Sequence, residues 1–162
     1  MSTRTFRVPP DQRYFEDYVQ GAVFEFGPIA VTESDIVQFA RSFDPQAMHT
    51  DRDAARQGPF GGLIASGWHT ISLLNRLFID HYLTSTASLA SPGVDEVRWM
   101  KPVRPGDQLR LRIEVIGARR SRTKTDRGLV HSKAEGINQD GDVVVSFLAM
   151  NLIGLRPSSA EG

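Results

Sequence analysis

A long, largely apolar stretch runs from Gly61 to about Leu83. Trp68, Ile71, Leu74, Leu77 and Phe78 recur at a helical period, and Leu73 and Ile79 add apolar surface on other sides. A helix apolar nearly all round is a buried helix. The pattern therefore predicts a central helix that the rest of the chain wraps. It is too short and too interrupted to span a membrane. Its start holds Gly61, Gly62 and Gly67, where backbone N–H groups can approach a ligand closely.

Upstream, residues 22–26 predict a short strand that breaks at Gly27-Pro28. Thr32 caps a helix whose first turn holds Glu33 and Asp35 and whose apolar face is Ile36, Val37, Phe39, Ala40 and Phe43. Asp44-Pro45 ends it, because proline forces the preceding residue into extended geometry. Residues 44–50 read as a loop. Asp51 then caps a short helix running through Arg56, which Gly58-Pro59 stops.

After Pro92-Gly93 the period changes to two. A strand at 94–101 leads to a turn at Pro102, Pro105 and Gly106-Asp107. Leu109, Leu111, Ile113 and Val115 alternate with Arg110, Arg112 and Glu114, the cleanest half-buried strand in the chain. Residues 117–128 read as a basic loop or hairpin end, and 129–137 as a strand. Asn138-Gln139-Asp140-Gly141 is a hairpin turn. Residues 143–153 are mostly apolar, as in a strand covered on both faces. One buried helix and a run of antiparallel strands predict an α+β domain, a long central helix wrapped by a curved antiparallel sheet. Residues 1–13 are expected to be loose, 14–156 to form the single domain and 157–162 to fray. A sheet wrapped on one helix leaves an edge to manage, which dimerisation does.

At 162 residues, one domain with a sizeable core is expected. The 19 basic and 19 acidic residues cancel, which removes any electrostatic case for nucleic acid as main partner. The absence of cysteine excludes disulfides, thiol nucleophiles and cysteine-based metal sites. No apolar run follows the N-terminus as in a secretory signal, and no stretch is long enough to cross a membrane. A cytoplasmic protein without membrane contact is expected.

The candidate chemistry sits in Asp44-Pro45-Gln46-Ala47-Met48-His49, just before the glycine-rich start of the central helix. A non-helical turn can point the carboxylate and the imidazole into one cavity, where together they hold a water and move two protons. The N–H groups at Gly67 can face a developing oxyanion. The plainer readings make Asp44 a turn or capping residue, His49 a structural histidine, Gly67 a packing glycine and Trp68 core. Asp51 is a helix cap. His69, His81 and His131 have no ligand-like partners in sequence, so no metal site is expected.

Three stretches, Asp44 to Asp51, Phe60 to Thr70 and Arg98 to Asp107, together resemble the MaoC-like dehydratases, single hot-dog-domain relatives of the (R)-specific enoyl-CoA hydratases. The resemblance runs from about Tyr14 to Ile153. It implies a hot-dog fold, an acyl-CoA thioester substrate, a homodimer or dimer of dimers, and no cofactor beyond the coenzyme A of the substrate. It implies that Asp44 and His49 activate water and that the Gly67 N–H faces the thioester oxygen, with Ser66 and Trp68 as pocket candidates. The chain departs from the hydratase pattern at Phe43, where glycine is usual, at Gln46-Ala47, where Asn-Pro is usual, and at Ser66, where histidine is common.

The expected activity is reversible addition of water to a 2-enoyl-CoA. The alternatives are an acyl-CoA thioesterase on the same fold and a non-catalytic acyl-CoA-binding or scaffold subunit. Lys101, Arg104, Arg119 and Arg120 are candidates for gripping the phosphates of coenzyme A, against the plainer reading of solvated loop charges.

Overall fold

The computed structural model describes residues 2–158. The elements are β1 (Val23–Ala30), α1 (Glu33–Phe43), α2 (Ala47–Thr50), α3 (Arg52–Gln57), α4 (Gly67–Leu77), β2 (Ser88–Trp99), β3 (Gln108–Arg120), β4 (Arg127–Ile137) and β5 (Val143–Gly154). The strands form one 5-stranded sheet in the order β1-β3-β4-β5-β2. Every neighbouring pair is antiparallel.

The sheet's inner face follows the period-two pattern. Leu109, Leu111, Ile113 and Val115 are fully buried, while Arg110 and Arg112 point outward to Glu25 and Glu135. Helix α4 lies on that inner face. Leu74, fully buried, packs over Gly136 so closely that a Cβ there would stand 2.6 Å from a Leu74 methyl. Glycine at this point of β4 lets the helix settle onto the sheet. The predicted helix is thus the centre of the fold. It is shorter than expected: residues 61–66 are non-helical, and a π turn at Phe78–Tyr82 continues α4. Nor is it buried all round. Its open side carries Trp68 and Ile79, 60% and 47% exposed, because this one sheet covers one side only.

Several boundaries differ from the sequence reading. β1 runs through Gly27-Pro28, its register shifting between Phe26 and Ile29. β2 begins at Ser88 and runs through Pro92-Gly93. It is an edge strand, where a proline removes no hydrogen bond that the ladder needs. Residues 44–50, read as a loop, contain the single-turn helix α2. The expected basic loop at 117–128 shrinks to the turn between Arg120 and Arg127, since β3 continues through Arg119 and Arg120 and β4 begins at Arg127. Strand β5 lies inside the sheet, so the open edges are β1 and β2 and not the apolar last strand.

Residues 2–13, expected to be loose, pack on the body instead. Phe6 stacks on Phe24 at 4.0 Å between centroids. Arg13 is 3% exposed, and its guanidinium donates to the carbonyls of His81 (2.8 Å), Tyr82 (2.8 Å) and Val8 (2.9 Å). It lies 3.5 Å from the Phe6 ring centroid. Burial pushes its pKa down. The carbonyls at the end of a helix have no partner within it, and a buried cation there answers both their hydrogen bonding and the helix dipole. Of the tail expected to fray, residues 159–162 lie outside the described residues. Among the described residues, no helix is long and apolar enough to cross a membrane.

Candidate active site

Thr32 caps α1 as its sequence predicts, its hydroxyl accepting from the Asp35 N–H at 3.2 Å. The helix ends at Asp44, whose φ of −153° turns the chain out of it. This places the carboxylate beside the start of α4. Pro45 and Gln46 lead into α2, which carries His49 inward: the residue is 5% exposed. Its Nδ1 lies 2.7 Å from the Ile64 carbonyl oxygen. A carbonyl can only accept, so Nδ1 carries the proton and Nε2 is the free ring atom. Nε2 stands 3.4 Å from Asp44 Oδ2. The two predicted side chains therefore meet.

Both oxygens of Asp44 are engaged. Oδ1 accepts from the Gln46 side-chain amide at 2.7 Å, and Oδ2 from the Ser66 hydroxyl at 2.7 Å. The Gln46 and Ser66 bonds, with the neighbouring His49 adding least, hold the carboxyl below its ordinary value against the opposing effect of burial. Ser66 is fully buried at the N-cap of α4, but its hydroxyl caps nothing, because it is turned to Asp44. The first turn of α4 thus keeps its N–H groups uncapped and its positive dipole end facing the cavity.

The cavity has a volume of about 420 Å³ and reaches Asp44, His49, Gly67, Trp68, Trp99 and Lys101. Trp99 closes over the start of α4: a Cβ on Gly67 would stand 2.3 Å from its Nε1. Any side chain at position 67 would displace that indole. Trp68 meets Trp99 edge to face with centroids 5.3 Å apart, so it is a wall of the cavity and not core. Gln46 and the Ile64 carbonyl are the partners that sequence reasoning missed. Gln46 lay inside the quoted motif, two residues from the acid it holds, whereas nothing in the sequence signals the Ile64 carbonyl.

The charge candidates separate. Lys101 lines the cavity and pairs with Asp142 at 2.8 Å. Arg104 reaches the Phe60 carbonyl at 2.7 Å and so ties the turn after β2 to the cavity rim. Arg119 and Arg120 pair with Leu129 and Gly128, at the far end of β3 from Leu111, which pairs with Gly136 near the site. That is about 30 Å along an extended strand, so within one chain they are outside the cavity. His69 is buried against Phe39 of α1, with ring centroids 4.9 Å apart. Burial pushes its pKa down. It joins α1, which carries Asp44, to α4, which carries Gly67. Among the described residues, no group of three His, Asp or Glu side chains is placed to hold a metal ion.

Known proteins share this chain's sequence pattern and fold. Residues 17–136 match the family model for the MaoC like domain. The chain is 35% identical over 101 residues to protein YdeM of Bacillus subtilis, covering 62% of this chain and 72% of that one. It is 34% identical over 91 residues to 3-hydroxyacyl-thioester dehydratase Z of Mycobacterium tuberculosis, covering 55% of this chain and 60% of the dehydratase's length. The crystal structure of the MaoC-like dehydratase from Rhodospirillum rubrum superposes with a TM-score of 0.83 at 35% identity, covering 90% of this chain and 99% of that one. A five-stranded antiparallel sheet laid on one central helix is the hot-dog fold, and the chain belongs to the MaoC-like domain family.

Proposed function

We propose that this protein catalyses the reversible addition of water to a 2-enoyl-CoA. The observation that carries the proposal is the meeting of Asp44 and His49 Nε2 at 3.4 Å in a cavity that also holds the uncapped start of α4. A water between Asp44 Oδ2 and His49 Nε2 has an acceptor for each of its protons. Its oxygen bonds to C3 of the enoyl group as the C2=C3 π bond breaks. Those electrons pass to the thioester oxygen, which the Gly67 N–H and the helix dipole stabilise. The Asp44–His49 pair takes the water's proton and a proton is delivered to C2, so the net change is one water added. The thioester supplies the activation, and the reaction calls for no cofactor. The relative named as a 3-hydroxyacyl-thioester dehydratase supports this class of reaction. The test is to mix the protein with crotonyl-CoA and follow enoyl absorbance and free thiol together. Loss of the first without release of the second is expected; thiol release would instead indicate a thioesterase.

Lys101 is proposed to meet the phosphates of coenzyme A at the cavity mouth, with Arg104 beside it. The double variant Lys101→Ala/Arg104→Ala is expected to raise KM for crotonyl-CoA with kcat nearly unchanged. The penalty should shrink in high salt and vanish for a pantetheine thioester, which lacks the nucleotide phosphates. An unchanged KM at low salt would leave both as ordinary surface charges.

The working form is proposed to be a homodimer joined along β2. That edge exposes Leu89, Val94 and Trp99, with Met100 just beyond it, and Trp68 of α4 and Ile79 of the π turn after it are exposed as well. An open edge with apolar side chains is a template for pairing. Sedimentation should give twice the 18.0 kDa chain mass, and Val94→Lys should shift it toward one. A wild-type protein that stays a single chain at micromolar concentration would contradict this.

A further inference from the structure

Two of the chain's departures from the hydratase pattern, Gln46 and Ser66, converge on one carboxylate. Gln46 donates to Asp44 Oδ1 and Ser66 to Asp44 Oδ2, each at 2.7 Å, which is the short range of charge-assisted hydrogen bonds. Both follow Asp44 in sequence, Gln46 by 2 residues and Ser66 by 22, the latter at the start of α4. Ser66 gives up helix capping to make its bond, although a serine at this position ordinarily stabilises a helix. The Gln46 backbone N–H also returns to the Asp44 carbonyl at 2.7 Å, which fixes the turn that carries both residues. On the other side of the pair, His49 has a single free nitrogen, since Nδ1 is committed to Ile64.

We propose that Gln46 and Ser66 are positioning residues which clamp Asp44 as a fixed carboxylate, so that His49 Nε2 is the atom that exchanges the proton. This deepens the hydratase reading and rests on it. In hydration, Nε2 takes a proton from the water as the C3–O bond forms, and the imidazolium that results lies against the Asp44 carboxylate. The same Nε2–H then delivers its proton to C2 as the enolate collapses, so the imidazole ends neutral. Asp44 orients the water and offsets the positive charge, and gains no proton. The clamp produces this division because each donor that binds the carboxylate lowers its basicity. Ser66 thus acts on the acid and not on the acyl chain.

The test compares Gln46→Ala, Ser66→Ala and Ser66→Thr with wild type in crotonyl-CoA hydration across pH. Aspartate-labelled protein, with Asp44→Asn to assign the signal, lets NMR follow the Asp44 carboxyl without substrate. The two alanine variants are expected to lose on the order of tenfold in kcat with KM within about twofold. The Asp44 titration should move to higher pH in both, because each variant removes a donor that favours the charged carboxylate. Ser66→Thr, which keeps the hydroxyl, should restore the titration toward wild type. Gln46 is exposed, so its variant reads the clamp even if the buried Ser66 site tolerates no change. An Asp44 titration unmoved in Gln46→Ala would overturn the proposal. So would a raised KM with unchanged kcat in Ser66→Ala, which would make Ser66 a substrate contact. A wild-type protein that hydrates no enoyl thioester would overturn the hydratase reading, and the NMR titration would still decide the clamp.

Discussion

Asp44→Asn is expected to lower the rate of enoyl-CoA hydration on the order of 10²–10⁴-fold, in a protein that stays folded. The loss has two sources. The negative charge that offsets a protonated His49 is removed. Asn also has one acceptor oxygen where Asp has two, so either Gln46 or Ser66 loses its partner and the amide turns. The fold should survive, because Asp44 is a partly exposed residue at a helix end and its backbone bond to Ala40 is independent of the side chain. His49→Ala should cost a similar factor in rate by removing the proton-exchanging nitrogen. It should also cost about 1 kcal/mol in stability, since the Ile64 carbonyl loses its donor. Either variant working at near wild-type rate, by initial rates at saturating crotonyl-CoA, would remove that residue from the mechanism.

The largest effect on stability is expected far from the site, at Arg13. Arg13→Met keeps the length of the stem against Phe6 and removes every donor. The part-buried carbonyls of Val8 and His81 would then lose this donor, and the buried Tyr82 carbonyl would keep only the Tyr18 hydroxyl at 2.8 Å. Hydrogen bonds to a charged group contribute about 1.5–3 kcal/mol each, and part of that is recovered where water can reach an exposed carbonyl. A loss of at least about 3 kcal/mol is expected, read as a lower urea midpoint with an unchanged slope. Arg13→Lys should fall between, because an ammonium cannot span three acceptors as a planar guanidinium does. A midpoint within experimental error of wild type for Arg13→Met would show that water replaces these bonds.

What the sequence displayed and what it hid follow from where each signal resides. The alternation from Leu109 to Val115 and the Thr32 cap are local, and both form as expected. Arg13 was invisible because its partners are backbone carbonyls, which no residue type encodes, and a polar stretch with two prolines reads as loose. The single turn α2 is too short to show a period. β2 was half hidden, since an edge strand mixes exposed apolar and polar residues and tolerates Pro92. Arg119 and Arg120 lie away from the cavity for a topological reason. β2 pairs with β5 and not with β3, but the alternation across β3, β4, β5 and β2 leaves β2 and β3 antiparallel. The turn that carries Lys101 and Arg104 therefore lies at one end, and the next, after Arg120, at the other. The Asp44–His49 pair was legible from its motif. The Ser66–Asp44 bond was not, because it joins residues that only the fold brings together.

The most direct test of the central claim is to incubate the protein with crotonyl-CoA in heavy-oxygen water and follow the label by mass spectrometry. The account predicts 3-hydroxybutyryl-CoA with one labelled oxygen, at C3, and an intact thioester. Label found in a free carboxylate would mean that water attacks the thioester carbon, and no incorporation at all would mean that the Asp44–His49 pair activates no water; either result would contradict it.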